Sequence, residues 1–229
     1  MRIFLLIAAL LISSAAWAES IPDVVYWDSE AGKALRARIS ADADYWQLAP
    51  NFTVQQTQSY CGVASAVTVL NSMPIGKPVE PVYAPYAYFT QKNFFTPKVE
   101  KIISARVVMS QGITREEMAD ALAQLGVKTR TIAGDTLTDD SLRTLLQTAL
   151  GDDGQFVLAN YFRANLGQVG GGHWSVLAAY DAKTDHVLIL DVAKYKYPPV
   201  WVRLGTLRQA LDTLDTTNNK SRGLVLVTR

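Results

Sequence analysis

Apolar positions along this chain repeat first at helical spacing and later at strand spacing. After an apolar stretch from Ile3 to Leu11, residues 19–50 are mixed in character and predict a surface-wrapping segment with one short helix over Ser29–Ile39. The first strong periodicity runs from Tyr60 to Ser72, where Val63, Val67 and Leu70 recur on one helical face. Pro74, Pro78, Pro81 and Pro85 predict a loop-rich connection with aromatic residues Tyr83, Tyr86, Tyr88 and Phe89. Thr114-Arg115-Glu116-Glu117 has the form of a capping box, and the helix it opens is expected to end at Gly126. Thr138 or Asp139 caps another helix, which stops at Gly151. The period then changes. Phe156–Tyr161, Trp174–Tyr180, Val187–Val192, Trp201–Arg203 and Leu224–Thr228 read as strands, with one helix over Leu207–Leu214. Helices first and a meandering antiparallel sheet after them predict an α+β fold, two packed layers in one domain.

The apolar stretch near the start changes the picture of where the chain begins its fold. Arg2 supplies a positive n-region, Ile3 to Leu11 an apolar h-region, and Ala16-Trp17-Ala18 an A-x-A cleavage signature before Glu19. Residues 1–18 are therefore expected to be a signal peptide and 19–229 a single catalytic-sized domain, periplasmic or secreted. The apolar run is too short to span a bilayer comfortably, so no membrane association is expected once the signal is cleaved. Without Arg2, Lys+Arg falls from 22 to 21 and equals Asp+Glu at 21, which leaves no polybasic footprint for nucleic acid. The oligomeric state is open, with a homodimer as one option. With one cysteine there is no internal disulfide, and a lone thiol in an oxidising compartment is easier to understand if it is used. The alternative is a buried, inert cysteine acting as a small hydrophobe.

That cysteine, Cys61, follows Gln55-Gln56-Thr57-Gln58-Ser59-Tyr60 and stands where the polar segment turns helical. A thiol in the first helical turn feels the positive end of the helix dipole and several unpaired N–H groups, and both favour the nucleophilic thiolate. Gly170-Gly171-Gly172-His173-Trp174-Ser175 places one of two histidines at the mouth of an apolar run, and the next apolar run ends in Asp191. Cysteine, histidine and aspartate in that order suggest a papain-like thiol enzyme. If Tyr180–Thr184 is a five-residue loop, pairing is symmetric about Ala182 and His173 faces Asp191; a four-residue loop would place His173 opposite Val192. The other histidine, His186, is expected in the turn region and solvated. Gln55 could donate its amide to an oxyanion beside the Cys61 backbone N–H, with Gln56 and Gln58 as rivals. Gly172, in its glycine loop, would let a substrate backbone approach His173.

The segments Gln55–Asn71, Gly171–Tyr180 and above all Leu188 to Trp201, with its Asp191-Val192-Ala193-Lys194-Tyr195-Lys196-Tyr197-Pro198-Pro199-Val200-Trp201 run, resemble the catalytic domain of phytochelatin synthases and their short bacterial relatives. The resemblance implies a triad of Cys61, His173 and Asp191, Gln55 at the oxyanion, and Arg222 of Ser221-Arg222-Gly223 holding a γ-glutamyl carboxylate. It implies glutathione as substrate, no cofactor and no resident metal, with Cd²⁺ or Zn²⁺ entering only as the metal–glutathione thiolate. Departures are the lack of a Cys-rich C-terminal region and Lys194 where the family commonly has arginine. No second set of charged residues marks an acceptor site, so hydrolysis is expected to exceed chain extension. Competing readings are a papain-like peptidase of double-glycine leaders and a non-enzymatic thiol or metal-binding protein.

Overall fold

The computed structural model describes residues 21–151 and 154–229; the expected signal segment lies outside the described residues. A three-residue strand, β1 (Val24–Tyr26), leads into α1 (Glu30–Arg36), whose first turn is capped by Ser29 Oγ accepting from Gly32 N at 3.0 Å. The short α2 (Tyr45–Leu48) precedes α3 (Cys61–Ser72), which is buried along nearly its whole length. After the proline-rich loop come α4 (Ala105–Gln111), capped by Ser104, and α5 (Arg115–Ala123), where Thr114 and Glu117 form the expected capping box. Strand β2 (Lys128–Ala133) and helix α6 (Asp139–Ala149) follow, with Thr138 as the cap of α6.

The second half supplies β3 (Gln155–Phe162), β4 (Gly172–Asp181), β5 (His186–Leu190) and β6 (Val200–Arg203), then α7 (Leu204–Leu211), the small hairpin β7 (Leu214–Asp215) and β8 (Lys220–Ser221), and β9 (Gly223–Thr228). Seven strands form one antiparallel sheet in the order β1-β6-β5-β4-β3-β9-β2. The meander is β3 to β6; β9 returns to the free side of β3, and β2 and β1 close the two edges. Neither edge strand was legible in the sequence, because β1 is too short to show a period and β2 is largely polar and half covered. The helix expected over Leu207–Leu214 lies three residues earlier, and Leu214 is in a strand.

The expectation of two layers is corrected to three. Phe156, Leu158, Trp174, Val176, Leu188, Leu190, Val225 and Val227 share a core with α3, while the alternating Val157, Ala159, Leu177, Val187, Ile189, Leu224 and Leu226 share a second core with α6 and α7. Central strands buried on both faces read as continuous apolar runs, which hides the second layer of helices from the sequence.

The β4–β5 hairpin also differs from expectation. Its turn closes over Ala182–Asp185, with Asp181 paired to His186 and Asp185 at φ 58°. Asp181 fixes this turn: its carboxylate accepts from Thr184 N at 3.1 Å and from Arg38 Nε and NH2, each at 2.9 Å. A register shift between Leu177 and Ala179 then leaves Val176 opposite Leu190. His173 and Asp191 are therefore not direct cross-strand partners. His186 is not solvated either: it is fully buried, with Nε2 2.9 Å from Pro22 O and Nδ1 2.7 Å from Thr184 O.

Candidate active site

Helix α3 starts at the cysteine. Ala64 N returns to the Tyr60 carbonyl at 2.8 Å, so Cys61 occupies the first turn, where N–H groups have no helical acceptor. Gly62 is demanded by packing: a Cβ there would lie 2.5 Å from Ile113 Cγ2 and 2.8 Å from Met118 Cε. That close seat brings the thiol against β4, where Trp174 Nε1 donates to Ile113 O at 2.9 Å.

His173 is the second residue of β4, and Asp191 directly follows β5. Continuing the register from Val176–Leu190 puts Ser175 opposite Asp191, so His173 is its diagonal neighbour on the same face, still within reach of a long side chain. The contact is made: His173 Nε2 lies 2.9 Å from Asp191 Oδ1. Nδ1 remains on the side of the Cys61 thiol, whose ionisation the imidazole favours. Tyr161 stands opposite His173 in β3 and packs edge-on against the imidazole, with centroids 5.6 Å apart and planes at 83°.

Arg163 was missed by the sequence reading. It follows β3, is 3% exposed, and sits 2.8 Å from both oxygens of Asp191 through NH2 and NH1. Ala193 N adds a third donor to Oδ1 at 2.9 Å. The signal was available: a carboxylate ending an apolar strand needs a cation, and Arg163 follows an apolar strand that ends at the same end of the sheet, across β4 from Asp191.

These contacts set the charges. Burial opposes ionisation of Asp191, but His173 and Arg163 outweigh it and hold the carboxyl down at about 2. Burial likewise pushes the Cys61 thiol up; the His173 imidazole and the N–H groups of Trp174 and Gly62 overcome it and leave the thiol below its ordinary value. For His173 burial favours the neutral ring, and Cys61 and Asp191 raise it nonetheless. The arrangement favours a thiolate–imidazolium pair backed by a buried carboxylate.

Two cavities share Gly172, one reaching the Cys61 thiol and the other His173. One, of about 200 Å³, is lined by Cys61, Asn160, Trp174, Asp215 and Arg222. Arg222 is 7% exposed rather than a surface residue; its NH1 donates to Asn160 Oδ1 at 3.0 Å and to Asp215 Oδ2 at 3.2 Å, and its Nε has no partner. Gly172 makes room for it, since a Cβ there would fall 2.2 Å from Arg222 NH1. Glycine at this position thus admits the guanidinium.

The other cavity, of about 280 Å³, is lined by Gln55, Gln58, Arg163, His173, Tyr195 and Lys196 among others. Gln55 is 4% exposed and tied to the sheet through N donating to Val192 O at 2.9 Å. Its rival Gln58 also lines this cavity, whereas Gln56 uses its backbone N to bond Gln91 Oε1 at 2.9 Å. The sequence reading found no charges for an acceptor; the structure places Arg163 and Lys196 on this wall. Among the described residues no cluster of three or more His, Cys, Asp and Glu is arranged to hold a metal ion, and no helix is long and apolar enough to cross a membrane.

The family model described as phytochelatin synthase matches residues 19–224. The chain belongs to the phytochelatin synthase family. Among curated relatives, glutathione gamma-glutamylcysteinyltransferase 1 of Arabidopsis thaliana is 30% identical over 185 residues, covering 81% of this chain and 37% of that one. The corresponding protein of Triticum aestivum is 30% identical over 211 residues, 91% and 41% of the two chains. The glutathione gamma-glutamylcysteinyltransferase of Schizosaccharomyces pombe is 25% identical over 204 residues, 88% and 48%. The chain thus spans less than half the length of these relatives. Among solved structures, the double-glycine-motif protease of an AMS/PCAT transporter is similar at 14% identity over 76% of this chain and 88% of that one, with a TM-score of 0.39.

Proposed function

We propose that this phytochelatin synthase family member is a thiol acyl-transfer enzyme acting on glutathione. The carrying observation is the Cys61–His173 pair, charge-separated by its surroundings, with Cys61 lining one cavity and His173 another. The Cys61 thiolate attacks the carbonyl of the Cys–Gly bond. As the tetrahedral intermediate collapses, His173 gives its proton to the departing glycine nitrogen, leaving a γ-glutamylcysteinyl thioester on Cys61. Asp191 keeps Nε2 bonded and Nδ1 aimed at the reacting atoms, as a triad carboxylate does. His173 then takes a proton from water, giving γ-glutamylcysteine, or from the amine of a second glutathione, giving a phytochelatin.

Substrate orientation follows from charge. Arg222 and Asp215 put a cation and a carboxylate in the smaller cavity, complementary to the α-amino acid end of a γ-glutamyl group, and the unpartnered Arg222 Nε is suited to a carboxylate. The glycine end then lies toward Gln55, Arg163 and Lys196, where an acceptor would follow once glycine leaves. Arg163 is held by Asp191, which leaves Lys196 as the cation on that wall without a carboxylate partner among the described residues. One such cation orients an acceptor weakly, which supports hydrolysis as the main outcome and transfer at high glutathione, aided by Cd²⁺ or Zn²⁺ carried as the bis-thiolate substrate. The A-x-A segment before Glu19 supports an exported protein, testable by N-terminal sequencing of the native chain. The direct test is incubation with glutathione, measuring released glycine and trapping the acyl group on Cys61 by mass spectrometry. Absence of both would reject glutathione as substrate.

A further inference from the structure

The hairpin of β7 and β8 walls one side of the Cys61 cavity, where Asp215, Thr216 and Thr217 all line it. Yet the hairpin is a sheet of its own, with two residues to a strand, separate from the seven-stranded sheet. A lone two-stranded ribbon is marginally stable at best in water. Its only large apolar residue, Leu214, is 57% exposed, so burial does not seat it. Polar contacts have to hold this wall in place.

On the cavity side, Asp215 Oδ2 accepts from Arg222 NH1 at 3.2 Å and from Asn160 Nδ2 at 3.3 Å. A second set of contacts comes from the first turn of α5. Glu116 Oε2 accepts from Asn218 Nδ2 at 3.1 Å, while Oε1 accepts from Arg115 NH2 at 2.7 Å and lies 3.8 Å from Lys220 Nζ. Arg115 NH1 donates in turn to the Arg222 carbonyl at 3.1 Å. Tip, second strand and exit of the hairpin thus converge on two consecutive residues of a helix start fixed by the Thr114 capping box. Burial opposes ionisation of Glu116, but Arg115 and then Lys220 hold its carboxyl below the ordinary value, so the contact is charged at neutral pH.

We infer that Glu116 is a positioning residue for the donor cavity: with Arg115 it clamps the β7–β8 hairpin and so holds Asp215 against Arg222. Neither Glu116 nor Arg115 lines the Cys61 cavity, and the effect is exerted through the hairpin. For glutathione the inference rests on the proposed function, in which Asp215 and Arg222 receive the γ-glutamyl end. The clamp itself is a property of the hairpin whatever the substrate. A carboxylate in a first helical turn also favours the helix dipole, so the test separates hairpin from helix.

Glu116→Ala and Asn218→Ala remove the two sides of one contact. Glu116→Ala should raise KM for glutathione about tenfold with kcat nearly unchanged, the pattern of lost binding rather than lost chemistry. Backbone amides of 214–221 should exchange with deuterium faster by a similar factor, while those of α5 change less. Asn218→Ala should raise KM in the same direction, and the double variant should be no worse than Glu116→Ala, because the pair acts as one unit; an effect on the helix alone would not couple to Asn218. Alkylation of Cys61 by iodoacetamide should keep its wild-type pH dependence in all three. Additive losses in the double variant, or faster exchange confined to α5, would overturn the inference. If wild-type protein releases no glycine but Glu116→Ala frees 214–221, the substrate is wrong and the clamp stands. If glycine is released and KM does not move, the substrate stands and the clamp falls.

Discussion

Asp191→Asn is the substitution whose consequences the geometry defines most fully. The carboxylate is wholly buried and is approached by His173 at 2.9 Å and by Arg163 at 2.8 Å on each oxygen. Its carboxyl is lowered from 3.8 to about 2. At about 1.4 kcal/mol per unit, the ionised form contributes roughly 2–3 kcal/mol to folding. The sign is that of a depressed acid: the contribution is full above the unfolded value, near pH 4, and is lost as pH falls through about 2. Asparagine removes it and also turns an N–H₂ toward Arg163 or His173, stranding a buried guanidinium at a cost of about 3–5 kcal/mol. Asp191→Asn should therefore lose several kcal/mol of stability as well as acylation rate. Arg163→Met should lose a similar amount by stranding Asp191, and the double variant should lose less than the two single losses added, with a coupling of about 2 kcal/mol or more. Urea unfolding of the three variants and wild type at pH 7 measures this cycle, and repeating it near pH 3 should shrink the Asp191→Asn penalty. Additive losses, or an Asp191→Asn penalty that does not fall with pH, would refute the paired-charge account.

Other outcomes follow from the same site. Cys61→Ala and Cys61→Ser should abolish glycine release. In wild type, alkylation of Cys61 should begin at a pH below that of an ordinary thiol, since His173 lowers it, and His173→Ala should move that rise upward; an unmoved profile would mean that the ion pair does not form. His186→Ala should keep the acylation chemistry of Cys61 but unfold in less urea, because its ring joins Pro22 to the β5 turn; loss of acylation in a folded variant would contradict this. Lys196→Ala should reduce phytochelatin relative to γ-glutamylcysteine across a glutathione titration while leaving total glycine release nearly intact, and an unchanged product ratio would remove Lys196 from the acceptor side.

The sequence and the structure part company where the sheet is concerned. Helix starts were legible because their chemistry is local: Ser29, Thr114 and Thr138 each cap with their own side chain. Cys61 was legible for the same reason, standing where a polar loop meets an apolar helix. The hairpin register was not. A turn displaced toward Asp185 and a shift near Ala178 change every pairing beyond them, and nothing between Tyr180 and Val187 declares the Arg38 contact that fixes the turn. His173 and Asp191 meet all the same, because a diagonal neighbour on one face is as usable to an imidazole as a direct one. Chemistry of this kind tolerates a slip of two residues but not of one, since one would send Asp191 to the opposite face.

That tolerance bears on why Arg163 and Tyr195 escaped notice. Both act across elements distant in sequence: Arg163 reaches Asp191 from the neighbouring end of β3, and Tyr195 reaches Gln55 from beyond β5. In each case the visible residue carried an unmet need. Asp191 is a charge ending an apolar strand, and Gln55 is an amide destined for burial beside a helix start. Local pattern shows such a need but cannot name what satisfies it. The partners come from sheet order, which sets the ends of β3, β4 and β5 side by side and converges three loops on one thiol. Reactivity is concentrated where those ends meet. Groups that stabilise negative charge approach Cys61 from β4 and its own helix, while the groups that hold His173 in place come from β3 and the loop after β5. Cys61 therefore depends on the whole central meander, and perturbing the sheet ends should alter its ionisation before it alters the fold.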